Sequence, residues 1–112
     1  MDPKLLSGTV DMLILQVVVP EATYGYRITQ EVLKRSEGHF QLTEGSLYPA
    51  LHRLEREALL KSNWVNADSG RRRKYYRITA SGKKALEKKR SEWEEFSVGV
   101  NGILGIPRHG MV

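Results

Sequence analysis

The chain contains no cysteine among its 112 residues. Disulfide bonds, thiolate metal ligands and cysteine nucleophiles are therefore excluded, and a reducing compartment is allowed. The three histidines, His39, His52 and His109, lack the spacing of metal ligands, and no Ser/His/Asp set or pair of acids stands out. Nothing in the sequence points to an enzyme, and we expect no catalytic residues, no metal and no cofactor.

Long apolar runs are also missing. The run at residues 12–19 is interrupted by Gln16 and is far too short to span a bilayer. Two acidic residues, Asp2 and Asp11, flank this run on its N-terminal side, and no clear small-residue cleavage site follows it. The run therefore does not have the pattern of a signal peptide. We therefore expect a cytoplasmic protein.

Acidic residues are outnumbered, since 13 Asp and Glu face 18 Lys and Arg and the net charge is +5. The apolar content of 40% and charged content of 28% are typical of a globular protein, and the length predicts one domain. A basic excess is typical of proteins that bind nucleic acid. A soluble protein that is basic for no functional reason has the same composition.

The basic excess is concentrated in one segment. Five cationic side chains and no acid lie in the seven residues 71–77. Tyr75 and Arg77 would face one side of a strand and Tyr76 the other. Because aromatic residues are interleaved with the cations, we expect a folded strand with a dense positive tip instead of a disordered basic run.

The first half of the chain has the pattern of three helices. Apolar residues at spacings of three and four predict a helix over residues 9–19, which Pro20 ends, and a second over 24–35, which Gly38 caps. Thr43 is expected to cap a third helix, in which Pro49 sits early enough for its missing N–H to cost little. The apolar stripe of this third helix consists of Leu47, Leu51, Leu54 and Ala58.

A hairpin and a long helix follow. Residues 60–65 and 74–79 have the pattern of strands, and the turn formers between them place residues 71–73 at the tip and on the start of the return strand. Thr79 or Ser81 would cap the last helix, which we expect to reach about residue 98. Its end should be weakened by Gly99, Gly102 and Gly105, with a frayed tail over residues 107–112.

Three helices followed by a hairpin is the arrangement of a winged helix-turn-helix. We therefore expect a mainly α fold with a small β-hairpin and a long C-terminal dimerisation helix. Residues 1–79 would form the winged helix-turn-helix DNA-binding domain. Residues 80–112 would form the dimerisation helix and tail, and the two parts would make one structural unit.

The third helix is the candidate recognition helix, because the N-terminal residues of such a helix meet base edges in the major groove. Its free amides can also hold a phosphate. An ordinary solvated helix face is the alternative. The candidate DNA-binding residues on this helix are Thr43, Glu44, Ser46, Tyr48, Pro49, His52 and Arg53.

The hairpin is the candidate wing. Arg71, Arg72, Arg73 and Lys74 suit phosphate contact or insertion into the minor groove, and binding through them should weaken steeply with salt. The alternative is a solvated basic turn, which repulsion among four consecutive cations disfavours. At the start of the second helix, Tyr24 and Arg27 are further candidates for phosphate contact, although the tyrosines of that segment also suit the core.

The last helix carries an apolar stripe that three short helices cannot fully cover. Pairing two copies of the chain would bury it and would place two recognition helices for a palindromic site. Trp93 also has the shape to wall a pocket for a flat aromatic ligand. Folding of the helix back onto its own core, and simple core packing of Trp93, are the alternatives. The stripe consists of Leu86, Trp93, Phe96, Val100 and Ile103.

Three segments resemble the PadR-like transcriptional regulators: Tyr24-Gly25-Tyr26, residues 44–55 and residues 70–82. The resemblance covers almost the whole chain. It implies a winged helix-turn-helix dimer that represses transcription, of the short subfamily in which a single helix after the wing makes the dimer. In some short members a tryptophan on that helix lines a drug or phenolic-ligand site, and Trp93 falls at the corresponding place.

We therefore expect a homodimeric repressor that binds a palindromic site in double-stranded DNA and is released by an aromatic small molecule. The alternative is a small basic architectural protein that binds DNA or RNA and has no ligand. A protein of that second kind would show no sequence preference.

Overall fold

A computed structural model describes residues 2–107; residues 108–112, most of the predicted frayed tail, and His109 lie outside the described residues. The chain forms five helices and three strands within this range. Their bounds are α1 Pro3–Ser7, α2 Val10–Val18, β1 Thr23–Tyr24, α3 Gly25–Arg35, α4 Glu44–Arg56, β2 Leu60–Asn66, β3 Arg72–Ile78 and α5 Ala80–Leu104.

The core lies where α2, α3 and α4 meet, with the base of the hairpin and the start of α5 closing it. Tyr76 of β3 and Leu86 of α5 are almost completely buried in the same cluster as the helix residues. The predicted mainly α winged helix fold is confirmed. The most deeply buried side chains are Ile14, Leu15, Val18, Ile28, Leu47, Leu51, Leu54 and Leu60.

The three strands form one antiparallel sheet in the order β1-β3-β2. Thr23 and Tyr24 pair with Tyr76 and Tyr75, so β1 lies beside only the middle of β3. The strand β1 was not predicted, since the sequence pattern assigned Tyr24 to the start of the second helix. Two residues are too few to show alternation, and their pairing exists only because β3 lies alongside them. Arg72 pairs with Asn66 at the far end, where the hairpin has two strands only.

The recognition helix candidate α4 begins as predicted but ends earlier. Thr43 and Ser46 form a reciprocal capping box at its start. The prediction that Ala58 belongs to its apolar stripe is wrong: the helix stops at Arg56, and Ala58 is exposed with a φ of 61°. Pro49 lies in the second turn, not the first, so the helix lacks one internal backbone hydrogen bond there.

The long helix α5 extends to Leu104, beyond the predicted end near residue 98. Gly99 and Gly102 remain inside it, and Gly105 ends it in the left-handed conformation with a φ of 76°. Beyond this cap, the amide of Ile106 donates to the carbonyl of Asn101 at 2.9 Å. The short helix α1 was not predicted, because five residues are too few to reveal a helical period.

Candidate nucleic-acid interface

The N-terminal turn of α4 is exposed. The amide of Ser46 donates to Thr43 Oγ1 at 3.2 Å, and the amide of Thr43 donates to Ser46 Oγ at 3.1 Å. The hydroxyls of Thr43 and Ser46 are therefore engaged in stabilising the start of α4. Glu44, Pro49 and His52 are also exposed, so the predicted face of the helix is open to a partner along two turns.

Tyr48 lies against the beginning of α3. A β-carbon at Gly25 would be only 3.1 Å from the phenolic oxygen of Tyr48, so the glycine permits this close approach of the two helices. The ring of Tyr48 nevertheless keeps 41% of its surface exposed. It therefore bridges the packed side and the open side of α4.

Two arginines of the wing lie on aromatic rings. The guanidinium of Arg72 is 5.1 Å from the ring centroid of Trp64, and that of Arg73 is 4.4 Å from the ring centroid of Tyr24. The Tyr24 ring in turn packs on Tyr75, with centroids 5.3 Å apart. Cation–π contact of this kind restrains an arginine without neutralising its charge.

The open face of α4 and the wing border one concave surface of about 760 Å³. It brings together seven of the predicted residues, which come from β1, α4 and the hairpin. Trp64 and Tyr26, which are 56% and 66% exposed, also line this surface but were not among the predicted site residues. A large aromatic side chain within a polar segment is the sequence feature that could have identified them. The lining residues are Tyr24, Gly25, Tyr26, Tyr48, His52, Trp64, Arg71, Arg72, Arg73, Lys74 and Tyr76.

Lys74 differs from the three arginines that precede it. Its ammonium lies 3.3 Å from Glu55 Oε1 and 5.5 Å from the ring centroid of Tyr76. Burial opposes the charged ammonium, but the hydrogen bond to Glu55, the neighbouring Tyr76 and the charge of Glu55 together outweigh it, so the pKa of Lys74 is raised. The hydrogen bond from Ser62 is the main reason that the pKa of Glu55 is lowered. Both groups are thus charged at neutral pH.

Two other predicted arginines lie away from the concave surface. Arg53 does not line this surface; its Nε and Nη2 donate to both carboxylate oxygens of Asp11 on α2. Arg27 is exposed on α3 and lies 3.5 Å from Glu21. The fold therefore does not bring these two together with the wing cations.

The predicted stripe of α5 divides into two parts. Leu86 is 3% exposed and belongs to the core of its own chain. Beyond it, Trp93, Phe96 and Ile103 are 46%, 62% and 90% exposed. Val100 is also exposed. The rings of Trp93 and Phe96 pack on each other with centroids 5.9 Å apart.

A groove of about 440 Å³ runs between the second half of α5 and the start of the chain. Trp93 and Phe96 form one wall and Leu5 and Met12 contribute to the other, while the Asp11–Arg53 pair lies at its border. The groove is open, and its lining mixes apolar and charged side chains.

Among residues 2–107 there is neither a candidate membrane-spanning helix nor a candidate metal site. No helix there has both the length and the apolar character needed to cross a bilayer. No three His, Asp or Glu side chains in this part of the chain are grouped so that they could hold a metal ion.

Comparison with known proteins gives consistent matches over most of the chain. The model of the transcriptional regulator PadR-like family matches residues 14–88. A transcriptional regulator of Mycobacterium tuberculosis is 37% identical over 95 residues, which are 85% of this chain and 85% of that protein.

Solved structures agree with these matches. A PadR family transcription regulator from Clostridium difficile is 39% identical, with a TM-score of 0.74 over 86% of this chain and 98% of the other. A transcriptional regulator from Clostridium thermocellum is 32% identical, with a TM-score of 0.82 over 88% of this chain and 96% of the other.

Proposed function

The chain belongs to the PadR-like family of transcriptional regulators, and from this premise we propose that it binds a specific site in double-stranded DNA. In this proposal the N-terminal half of α4 reads base edges in the major groove. The wing contacts the sugar–phosphate backbone beside it. Thr43, Glu44, Ser46, Tyr48, Pro49 and His52 would act on the helix, and Arg71, Arg72 and Arg73 on the wing.

The observation that carries this proposal is the common surface of helix and wing. Exposed groups that can hydrogen-bond to bases lie on α4, and three arginines that form no ion pair within residues 2–107 lie next to them. Phosphates attract such cations, and bases accept hydrogen bonds from such a helix face. A DNA duplex presents base edges in its major groove next to backbone phosphates, so it could contact the α4 face and the wing arginines at the same time.

We propose further that two copies pair through the second half of α5. Exposed Trp93, Phe96 and Ile103 on one side of a helix form an apolar surface that a second copy would cover. A twofold dimer would present two α4 helices to a palindromic operator. PadR regulators are typically dimeric, which supports this assembly.

Repression released by a ligand completes the proposal. A flat aromatic molecule would bind beside Trp93, in or next to the groove that Phe96 shares. It would change the angle between the two DNA-binding units, and it can do so only if it binds one arrangement more tightly than the other. DNA binding stands independently of this step.

The test of DNA binding is a selection of duplexes from random sequence, followed by salt titrations of the selected duplex. We expect a palindromic consensus for the wild-type protein. Arg72→Ala with Arg73→Ala should reduce the slope of log K against log salt by about 2, because each lost phosphate contact contributes about 0.9. Lys84→Ala with Lys88→Ala removes the same charge from exposed positions on α5 and is the matched control.

An unchanged salt slope in the double arginine variant would contradict the role of the wing. A selection that yields bound DNA without any consensus would instead favour the architectural DNA- or RNA-binding protein. Equal loss of slope in the two double variants would mean that only the net charge matters.

A further inference from the structure

One carboxylate connects the recognition helix to both strands of the wing. Glu55 lies in the last turn of α4. Its Oε1 is 3.3 Å from the ammonium of Lys74 on β3, and its Oε2 accepts a hydrogen bond from the hydroxyl of Ser62 on β2. The side chains of Glu55 and Lys74 are both about two-thirds buried, with 32% and 30% of their surfaces exposed.

This connection lies where the wing loses its backbone pairing with β1. β1 pairs with β3 only at Tyr75 and Tyr76, and Lys74 is the next residue toward the tip. From Lys74 outward the hairpin has two strands, and an isolated two-stranded hairpin is marginally stable in water. The direction of the tip relative to α4 therefore depends on side-chain contacts at this point.

Lys74 is also set apart by charge. Arg71, Arg72 and Arg73 form no ion pair with any residue in the range 2–107, whereas the charge of Lys74 is balanced by Glu55. A lysine that left Glu55 to bind a phosphate would expose a half-buried carboxylate to the negative field of the duplex. Coulomb repulsion opposes that exchange.

We propose that Glu55 and Lys74 are positioning residues that hold the wing at a set angle to the recognition helix, and that Lys74 makes no phosphate contact. The inference rests on the proposed function, since it concerns how that DNA site is assembled. The wing arginines would reach the backbone only in register with α4, so the pair would contribute to sequence discrimination more than to general affinity.

The decisive experiment measures Glu55→Gln, Lys74→Gln and the double variant against the selected duplex and a scrambled one. Glutamine at 55 still accepts from Ser62 but no longer pairs with the ammonium. We expect each single variant to lower the ratio of specific to scrambled affinity about fivefold, the factor expected for one partly exposed ion pair. The double variant should lose no more than either single variant, because both remove the same interaction.

The sign of the Glu55→Gln effect separates positioning from simple electrostatics. Removing a negative charge near DNA should tighten all binding if Glu55 only repels phosphate. Positioning requires weaker specific binding instead. The salt slope should stay unchanged in Lys74→Gln, whereas a lysine that contacts phosphate would lower it by about 0.9. Lys61→Gln, an exposed lysine on the same hairpin, is the control for loss of charge.

A measurement on the free protein gives a second readout. Amide hydrogen exchange of residues 63–66 and 71–74 should become faster in both single variants, while the core of α2 and α4 keeps its protection. Tighter binding by Glu55→Gln, a reduced slope in Lys74→Gln, or unchanged exchange at the wing would each overturn the inference while leaving DNA binding intact. Failure of the wild-type protein to bind any duplex would overturn both.

Discussion

The two halves of α5 belong to one continuous helix but have different surroundings. In the first half, Gly82 and Leu86 are buried against the hairpin and the helices of the core. In the second half, Trp93, Phe96 and Ile103 are exposed although they continue the same apolar pattern. The hydrophobic stripe therefore runs about five turns further along the helix than the core of the chain that carries it.

This difference shows what the stripe does in each half. The first half completes the fold of one chain, because it closes the core over the base of the wing. The second half has apolar side chains that residues 2–107 leave uncovered, which is the basis for proposing a second copy as its partner. One helix would thus serve folding at one end and assembly at the other.

The largest expected effect is in the packed half. In Gly82→Ala, the new β-carbon would overlap the carbonyl oxygen of Leu59 and lie 2.7 Å from Ile78 Cγ1. Because a backbone carbonyl cannot move aside without shifting the strand, the free energy of unfolding should fall by about 3 kcal/mol. Urea denaturation followed by circular dichroism measures it. A loss below about 1 kcal/mol would mean that α5 is less firmly seated at Gly82 than its contacts indicate.

The next effect is in the open half. Trp93→Gln with Phe96→Gln should raise the dimer dissociation constant at least about 100-fold, since aromatic residues at the centre of an interface contribute most to its affinity. Sedimentation equilibrium across protein concentration measures this constant. Trp64→Gln, at the other exposed tryptophan, which lies on the wing, is the control and should leave the assembly unchanged. If the double variant dimerises as tightly as the wild type, the dimer interface does not include Trp93 and Phe96.

The smallest predicted effect tests the same difference between the two halves of α5. Gly102 lies inside α5, and a β-carbon there would have no neighbour within 4 Å in the single chain. Gly102→Ala should therefore stabilise the helix by roughly 0.5–1 kcal/mol, opposite in sign to Gly82→Ala. Thermal unfolding at fixed protein concentration detects it. Destabilisation would indicate that another copy of the chain packs closely on this glycine.

Sequence patterns predicted the principal elements because each has a period or a cap. The spacings of four and three residues between Leu47, Leu51 and Leu54 placed the buried side of α4, and Thr43 marked its start. The turn formers after Val65 located the hairpin. Alternation placed Tyr76 on the opposite side of its strand from Tyr75 and Arg77, and the structure shows that this is the buried side, since Tyr76 is 2% exposed.

The remaining features depend on partners distant along the chain. Arg53 pairs with Asp11 on α2 and does not line the surface shared by α4 and the wing, and pairing with Glu55 balances Lys74. Neither partner is signalled by local pattern, because 42 residues separate Arg53 from Asp11. For the same reason, a run of four cations read along the chain becomes three available arginines and one lysine engaged in an ion pair.

The sequence by itself determined the winged helix architecture and the cationic character of the wing, because helix periods, caps and turn residues act over a few neighbouring positions. Only the tertiary structure decided which cations remain available, where the core ends along α5, and that one carboxylate contacts both strands of the wing. Those outcomes depend on burial and on charge pairing between elements, and such interactions act through distances in space that the order of residues does not specify.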